Sequence, residues 1–264
     1  MRAVPDSLDS AVVAEIDARL ASAGVAIPWA IESGSRAWGF PSPDSDYDCR
    51  FIFVRPASDY LSPWPKRDVI EAPLDEIFDV NGWDLIKAVR LLLKGNAVVV
   101  EWLRSPIVYL GDPEFRDGLL QLADQVSNRA LIGRHYLHVG RQKWNRTGGE
   151  MGIKKIFYSL RPAAVLRWMR VNEGLVIPPM NLAELLDGCE PPTDVRAETA
   201  ELLEKKAVTR ELGLGTVPPA IARFINDEFA LAYEEYEHAD GSVSEESREV
   251  ASAYFRSAVE RFAS

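Results

Sequence analysis

The chain is poor in the residues that build disulfide frameworks and zinc sites. It has two cysteines, Cys49 and Cys189, and three histidines in 264 residues. Two widely separated cysteines cannot form a disulfide scaffold or a zinc knuckle. His135 and His138 stand at i, i+3, but no third nitrogen or sulfur ligand accompanies them, so they read as ordinary helix residues. No apolar run reaches the roughly 20 residues that would span a bilayer. Met1-Arg2-Ala3-Val4-Pro5-Asp6 lacks the apolar core of a signal peptide. The expectation is a cytoplasmic protein with no membrane partner. No pattern specifies an oligomeric state, and there is no internal repeat or low-complexity tract.

What is present is an ordinary globular composition, 47% hydrophobic and 27% charged, with a net charge of −10. The charge is unevenly placed. Between Arg134 and Arg170 there are nine Lys/Arg residues and one acid, whereas ten acids follow Asn226. A phosphate partner feels the patch it touches, so the acidic total does not exclude nucleic acid.

The first half alternates helical and strand patterns. Helices are expected over 9–23 and 83–94 and strands over 25–31, 47–54, 74–80 and 107–110. Pro28 marks the first strand as irregular or at an edge, and the proline-rich stretch from Pro56 to Pro65 reads as a loop. Beyond Asp112 there is little strand signal. Helices are expected near 113–126, 128–146, 151–173, 194–207, 218–238 and 244–262. The layout is an α/β (α+β) domain over 1–112 with a small mixed sheet, followed by a helical domain over 113–264, basic near 134–170 and acidic at its end.

Asp46 and Asp48 stand two apart at the start of a strand and so project to one side. Two adjacent carboxylates repel each other unless a cation lies between them, and a hard ion such as Mg²⁺ shares carboxylates with substrate phosphates. The plainer reading is a pair of surface acids flanking a strand. Eleven residues upstream of Asp46, Gly34-Ser35 lies in a turn between a strand and a short helix, where backbone N–H groups and a hydroxyl can meet a phosphate. Glycine-serine alone also marks many plain turns. The series strand, Gly-Ser, helix, turn, Asp-x-Asp, strand is much more specific than its parts.

Ser33-Gly34-Ser35-Arg36-Ala37-Trp38-Gly39-Phe40, with Ser45-Asp46-Tyr47-Asp48 and Cys49-Arg50-Phe51-Ile52-Phe53, resembles the DNA polymerase β-like nucleotidyltransferase superfamily. More narrowly it resembles the RlaP/YcgL-like branch, nucleotidyltransferases associated in some genomes with RNA repair. Asn81-Gly82-Trp83-Asp84-Leu85, Glu101 to Tyr109 and Lys154 to Pro162 carry the resemblance to about residue 180.

The resemblance implies a catalytic domain over 1–112 that moves a nucleoside monophosphate from a nucleoside triphosphate to an acceptor hydroxyl, releasing pyrophosphate. An RNA end is the favoured acceptor; a protein or small-molecule acceptor, or a silent nucleotide-binding module, is the alternative. It also implies a two-metal site for Mg²⁺ or Mn²⁺ with a third carboxylate. Asp79 is the choice for it and Asp75 the competitor. Asp84 reads instead as a helix-start acid and Glu101 as a polar position on a short helix. Gly34, Ser35 and Arg36 would hold phosphates, joined by Lys154, Lys155 and Arg161 of the Lys-Lys…Arg-Pro pattern. Lys154, Tyr158 and Arg161, at i, i+4 and i+7, share a helix face, which could equally be solvated. Arg50 shares the face of Asp46 and Asp48, where it can pair with them or meet substrate. Tyr136, Trp144 and Trp168 interleave with basic residues as a base-stacking surface would, but their helical spacing suits a core. Cys49 points to the opposite face, toward the core.

Overall fold

In the computed structural model all residues are described except Ser7, Leu74, Asp75, 145–149, 209–213 and Ser264. The first half runs α1 (Ser10–Ser22), β1 (Ala26–Glu32), α2 (Gly34–Trp38), β2 (Tyr47–Val54), α3 (Ala57–Tyr60), β3 (Val69–Glu71), β4 (Phe78–Asp84), α4 (Leu85–Leu93), α5 (Val98–Leu103) and β5 (Val108–Gly111). The second runs α6 (Pro113–Val126), α7 (Arg129–Lys143), β6 (Glu150–Gly152), α8 (Ile153–Val171), α9 (Leu182–Cys189), α10 (Thr193–Val208), β7 (Leu214–Thr216), α11 (Pro219–Tyr236) and α12 (Glu245–Phe262).

The strands of the first half form one mixed sheet in the order β3-β4-β2-β1-β5. Only β2 and β4 pair in parallel. Alternation along β1 and β2 gives each face its own core. Ala30, Cys49, Phe51 and Phe53 pack with Ile16 and Leu20 of α1 on one side, whereas Trp29, Ile31, Ile52 and Val54 pack with α4, α5 and α6 on the other. Asp48 and Arg50 share the parity of Ile52 and Val54. Cys49 is fully buried, as its parity predicts.

Three expectations need correction, the first being the loop expected from Pro56 to Pro65, which holds the short helix α3. The strand expected over 74–80 occupies Phe78–Asp84 and runs straight through Asn81-Gly82, a pair that ordinarily marks a turn. The ring of Phe51 lies where a Cβ on residue 82 would be, so glycine here serves close packing between neighbouring strands. The following helix accordingly begins at Leu85, and Asp84 is its N-cap, accepting from Ile86 N at 3.0 Å. The second half is not free of strands, since β6 and β7 pair as an antiparallel ribbon. At three residues each, with a glycine in both, they show no alternation a sequence could reveal. Pro28 bears out the irregular alternative of its reading: β1 is a central strand, and the proline sits at the register irregularity between Ala26 and Trp29.

Besides α6, which packs on the sheet itself, α12 and α8 tie the second half to the first. α12 returns to pack on α4 and α6, with Ala251, Ala258 and Val259 buried. Near β2, the loop residue Phe40 stacks on Phe157 of α8, with ring centroids 4.8 Å apart. That stack brings the N-terminal end of α8 toward the β1–α2 turn. α8 is itself fixed to α11 by Glu228, a buried carboxylate that receives Arg170 Nη2 at 2.6 and 2.7 Å and Arg167 Nη1 at 3.2 Å. Glu228→Gln keeps the shape and removes the charge. It should lower unfolding free energy by about 1.5–3 kcal/mol, the worth of a hydrogen bond to a charged group. A urea titration checks this; an unchanged midpoint would show that the cluster contributes nothing net.

Candidate active site

β1 ends on Glu32, fully buried, and the chain then turns through Ser33 into α2. Ser33 N donates to Asp48 O at 2.8 Å, and Asp48 N donates to Glu32 Oε1 at 3.0 Å. The backbone of residue 48 is thereby fixed on both sides by the turn. Glu32 Oε2 accepts from Tyr109 Oη at 2.6 Å, which anchors the carboxylate from β5. Burial raises the Glu32 pKa to about 7, against the opposing effect of these hydrogen bonds. Glu32 thus supports the candidate site through Asp48, and the motifs do not point to it. Its one signal in the sequence is an acid ending an otherwise apolar strand.

Gly34 has φ +60°, in the left-handed region, and a Cβ there would overlap Asp48 Oδ2. The glycine thus does two things: it permits the turn and leaves room for the Asp48 carboxylate against the backbone. Ser35 is buried, and its hydroxyl donates to Ser45 Oγ at 3.0 Å. Ser45 Oγ also accepts from Ser42 N at 2.9 Å, so three serines fold the loop that delivers Asp46. Arg36 acts on the same loop. It donates to Ser45 O at 2.6 Å and to Asp46 O at 3.2 Å, and its guanidinium lies 4.0 Å from the centre of the Tyr47 ring.

The carboxylates meet across the parallel pair. Asp48 of β2 stands in register with Asp79 of β4, and Asp46 lies exposed one residue before β2 begins. Asp75 lies outside the described residues. Arg50 spans the two strand acids, donating from Nη2 to Asp48 Oδ1 at 2.9 Å and to Asp79 Oδ2 at 2.6 Å, and from Nη1 to Asp79 O at 2.6 Å. Burial pushes the Asp48 carboxyl above its ordinary range. Arg50 opposes that shift, and the charges of Asp79 and Asp46 add to it. Lys154, at the start of α8, is close enough to pull it down.

The remaining basic positions separate. Lys155 is exposed, whereas Arg161 is buried and pairs with Glu101 at 2.9 Å. Arg161 Nε donates to Met180 O at 3.0 Å, and its guanidinium lies 4.8 Å from the centre of the Trp38 ring. Glu101 is therefore a buried partner on α5. Tyr136 Oη donates to it at 2.7 Å, Trp144 bonds Asn226, and Trp168 is buried in the helical core. His138 pairs with Glu237 at 2.8 Å.

Burial lowers the pKa of His135; the charge of Glu101 opposes this and that of His138 adds to it. With a folded pKa below the ordinary 6.5, the unfolded chain binds more protons in the window beneath that value. Stability should therefore fall as pH drops through that window and level off below the folded pKa. His135→Phe should flatten this part of a stability–pH curve measured by urea unfolding. A slope unchanged in the variant would place its origin elsewhere.

All three carboxylates offer oxygen, the donor that Mg²⁺ and Mn²⁺ take. Their mutual repulsion, visible at Asp48, is what a divalent cation would relieve. Among the described residues no three His, Cys, Asp or Glu side chains converge as they would around an ion. In the structure Arg50 supplies the positive charge between Asp48 and Asp79. The donor set fits such a cation in chemistry.

A family model described as "RNA repair pathway DNA polymerase beta family" (RlaP) matches residues 8–257. The chain belongs to this family. The match includes the sheet, the acidic cluster and nearly all of the helical half, so the RlaP family accounts for both. A Bacillus subtilis (strain 168) protein, YcgL, is 40% identical over 209 residues, covering 78% of this chain and 80% of that one. The family's description places the chain among polymerase β-like proteins, and the mixed sheet followed by helices is consistent with a nucleotidyltransferase domain and a helical part. No described helix is long and apolar enough to cross a membrane.

Proposed function

We propose that the chain transfers a nucleoside monophosphate from a nucleoside triphosphate to a hydroxyl at an RNA end, releasing pyrophosphate. The observation that carries this reading is the register of β2 and β4, which sets Asp79 beside Asp48, with Asp46 and the Gly34 turn adjacent. Asp46, Asp48 and Asp79 would hold Mg²⁺ or Mn²⁺, which when bound neutralises the triphosphate and lowers the pKa of the acceptor hydroxyl.

The chain's own residues prepare that chemistry. Glu32 and Ser33 fix the backbone of Asp48, and Arg50 holds the Asp48 and Asp79 carboxylates together. Arg36 and the Ser35–Ser45 hydroxyl pair shape the approach to Asp46. Lys154 adds positive charge on the side of Asp48. Asp79 serves as general base if it takes the acceptor's proton. The family's association with RNA repair supports RNA as acceptor, as does the excess of Lys and Arg between 134 and 170.

The test is labelled nucleoside triphosphate with Mg²⁺ or Mn²⁺ and a panel of RNA, DNA, protein and small-molecule acceptors. Label should move to RNA, with one pyrophosphate per nucleotide. Label on protein or small molecule alone would reassign the acceptor. Absence of both label transfer and pyrophosphate across the panel would leave a nucleotide-binding module.

A further inference from the structure

A cavity of about 200 Å³ between α2, α5, α7 and α8 has no part in the chemistry above. Its lining is aromatic, with Trp38, Tyr136, Phe157 and Tyr158, and Val139 stands partly exposed at its edge. Trp38 and Tyr158 meet edge to face with centroids 5.3 Å apart. The cavity is smaller than the roughly 300–1,000 Å³ clefts that enclose drug-sized ligands, so it suits a single flat ring system and not a whole nucleotide.

Two features distinguish it from a packing defect. The indole N–H of Trp38 is buried and has no hydrogen-bond partner, although buried donors are almost always satisfied. The wall also carries the Glu101–Arg161 pair, both members buried, beside the imidazole of His135. Aromatic faces combined with a few fixed polar groups are what orient a heteroaromatic ring.

Its position gives the ring an identity. Trp38 closes the short helix that opens at Gly34. Tyr158 lies one turn along α8 from Lys154, whose Nζ is 5.9 Å from the Tyr158 ring centre and whose charge reaches Asp48. Lys154 thus lies near the cavity's Tyr158 and acts electrostatically on Asp48. We propose that the cavity receives a nucleobase, stacked against the Trp38–Tyr158 pair and hydrogen-bonded at its edge. The base belongs either to the triphosphate or to the terminal nucleotide of the acceptor, and the proposal rests on the nucleotidyl-transfer reading.

The test is binding in Mg²⁺, without turnover. Full-length protein is titrated against 2-aminopurine riboside triphosphate and, separately, against a short RNA ending in 2-aminopurine. Quenching of the base fluorescence is expected in one of the two, which identifies the source of the base. Val139→Trp fills the cavity from its exposed edge and spares the buried core. It should weaken that ligand by about 5- to 100-fold, the range that stacking on aromatic side chains supplies. No quenching with either ligand, or quenching that Val139→Trp leaves unchanged, would overturn the proposal. Binding of inorganic tripolyphosphate, compared between wild type and Asp46→Asn, reports separately on the phosphate-and-metal reading, so either can fail while the other stands.

Discussion

Asp46→Asn is expected to reduce nucleotide transfer by about 10²- to 10³-fold, the loss seen when one element of transition-state charge stabilisation is removed from a preorganised site. The substitution is informative because of where Asp46 lies. Its side chain is exposed, and the loop holding it is fixed through the backbone, by Arg36 on the carbonyls of Ser45 and Asp46 and by the three-serine cluster. An exposed carboxylate changed to its amide isostere away from any buried partner alters stability by no more than about 0.5 kcal/mol. Loss of activity with an unchanged urea midpoint therefore reports on chemistry and not on folding. Asp48→Asn should be as inactive, but its carboxylate also receives Arg50, so a lower midpoint is expected as well. The two variants together separate a charge that serves the reaction from a charge that also serves the sheet. Label transfer by Asp46→Asn at even a tenth of the wild-type rate would place the reacting centre elsewhere.

The helices of this chain are legible because their signals are local. Asp9, Asp112, Asn128 and Ser244 each cap the helix that begins after them, and each stands directly before a periodic segment. The order strand, Gly34-Ser35, helix, Asp46, Asp48, strand is legible for the same reason, since one turn and one alternation contain it. Groups whose partners are distant in sequence cannot be read in this way. Glu32 meets Tyr109 across 77 residues, and nothing near residue 32 announces a buried carboxylate that holds the Asp48 backbone. Arg161 lies on the same helix face as Lys154, as the spacing implies, yet its partner Glu101 comes from a helix sixty residues earlier and buries it. Gly82 misleads in the opposite sense. Its neighbourhood signals a turn, and only the ring of Phe51 on the adjacent strand explains a glycine in mid-strand. The face of each strand and the axis of each helix follow from periodicity, but which charge neutralises which is decided by packing.

Gly34→Ala should show how closely the turn and the carboxylate depend on each other. An L-residue held at φ +60° costs about 1–2 kcal/mol. The second effect is steric, because the new methyl would overlap Asp48 Oδ2. The backbone of Asp48 cannot yield, since Glu32 and Ser33 hold it from both sides, so the side chain must rotate away from Arg50 and from its register partner Asp79. A displacement of about 1 Å in a reacting group can lower a rate about 10²-fold, and a loss of at least that size is expected in kcat. Gly24→Ala provides the control. Gly24 has φ +64°, but a methyl added there would meet nothing within 4 Å, so the same substitution carries the backbone strain without the collision. Both variants should unfold at lower urea concentration than wild type, and only Gly34→Ala should lose transfer. If Gly34→Ala retained wild-type kcat with a lowered midpoint, the glycine would serve the turn alone, and Asp48 would not need its place against the backbone of residue 34.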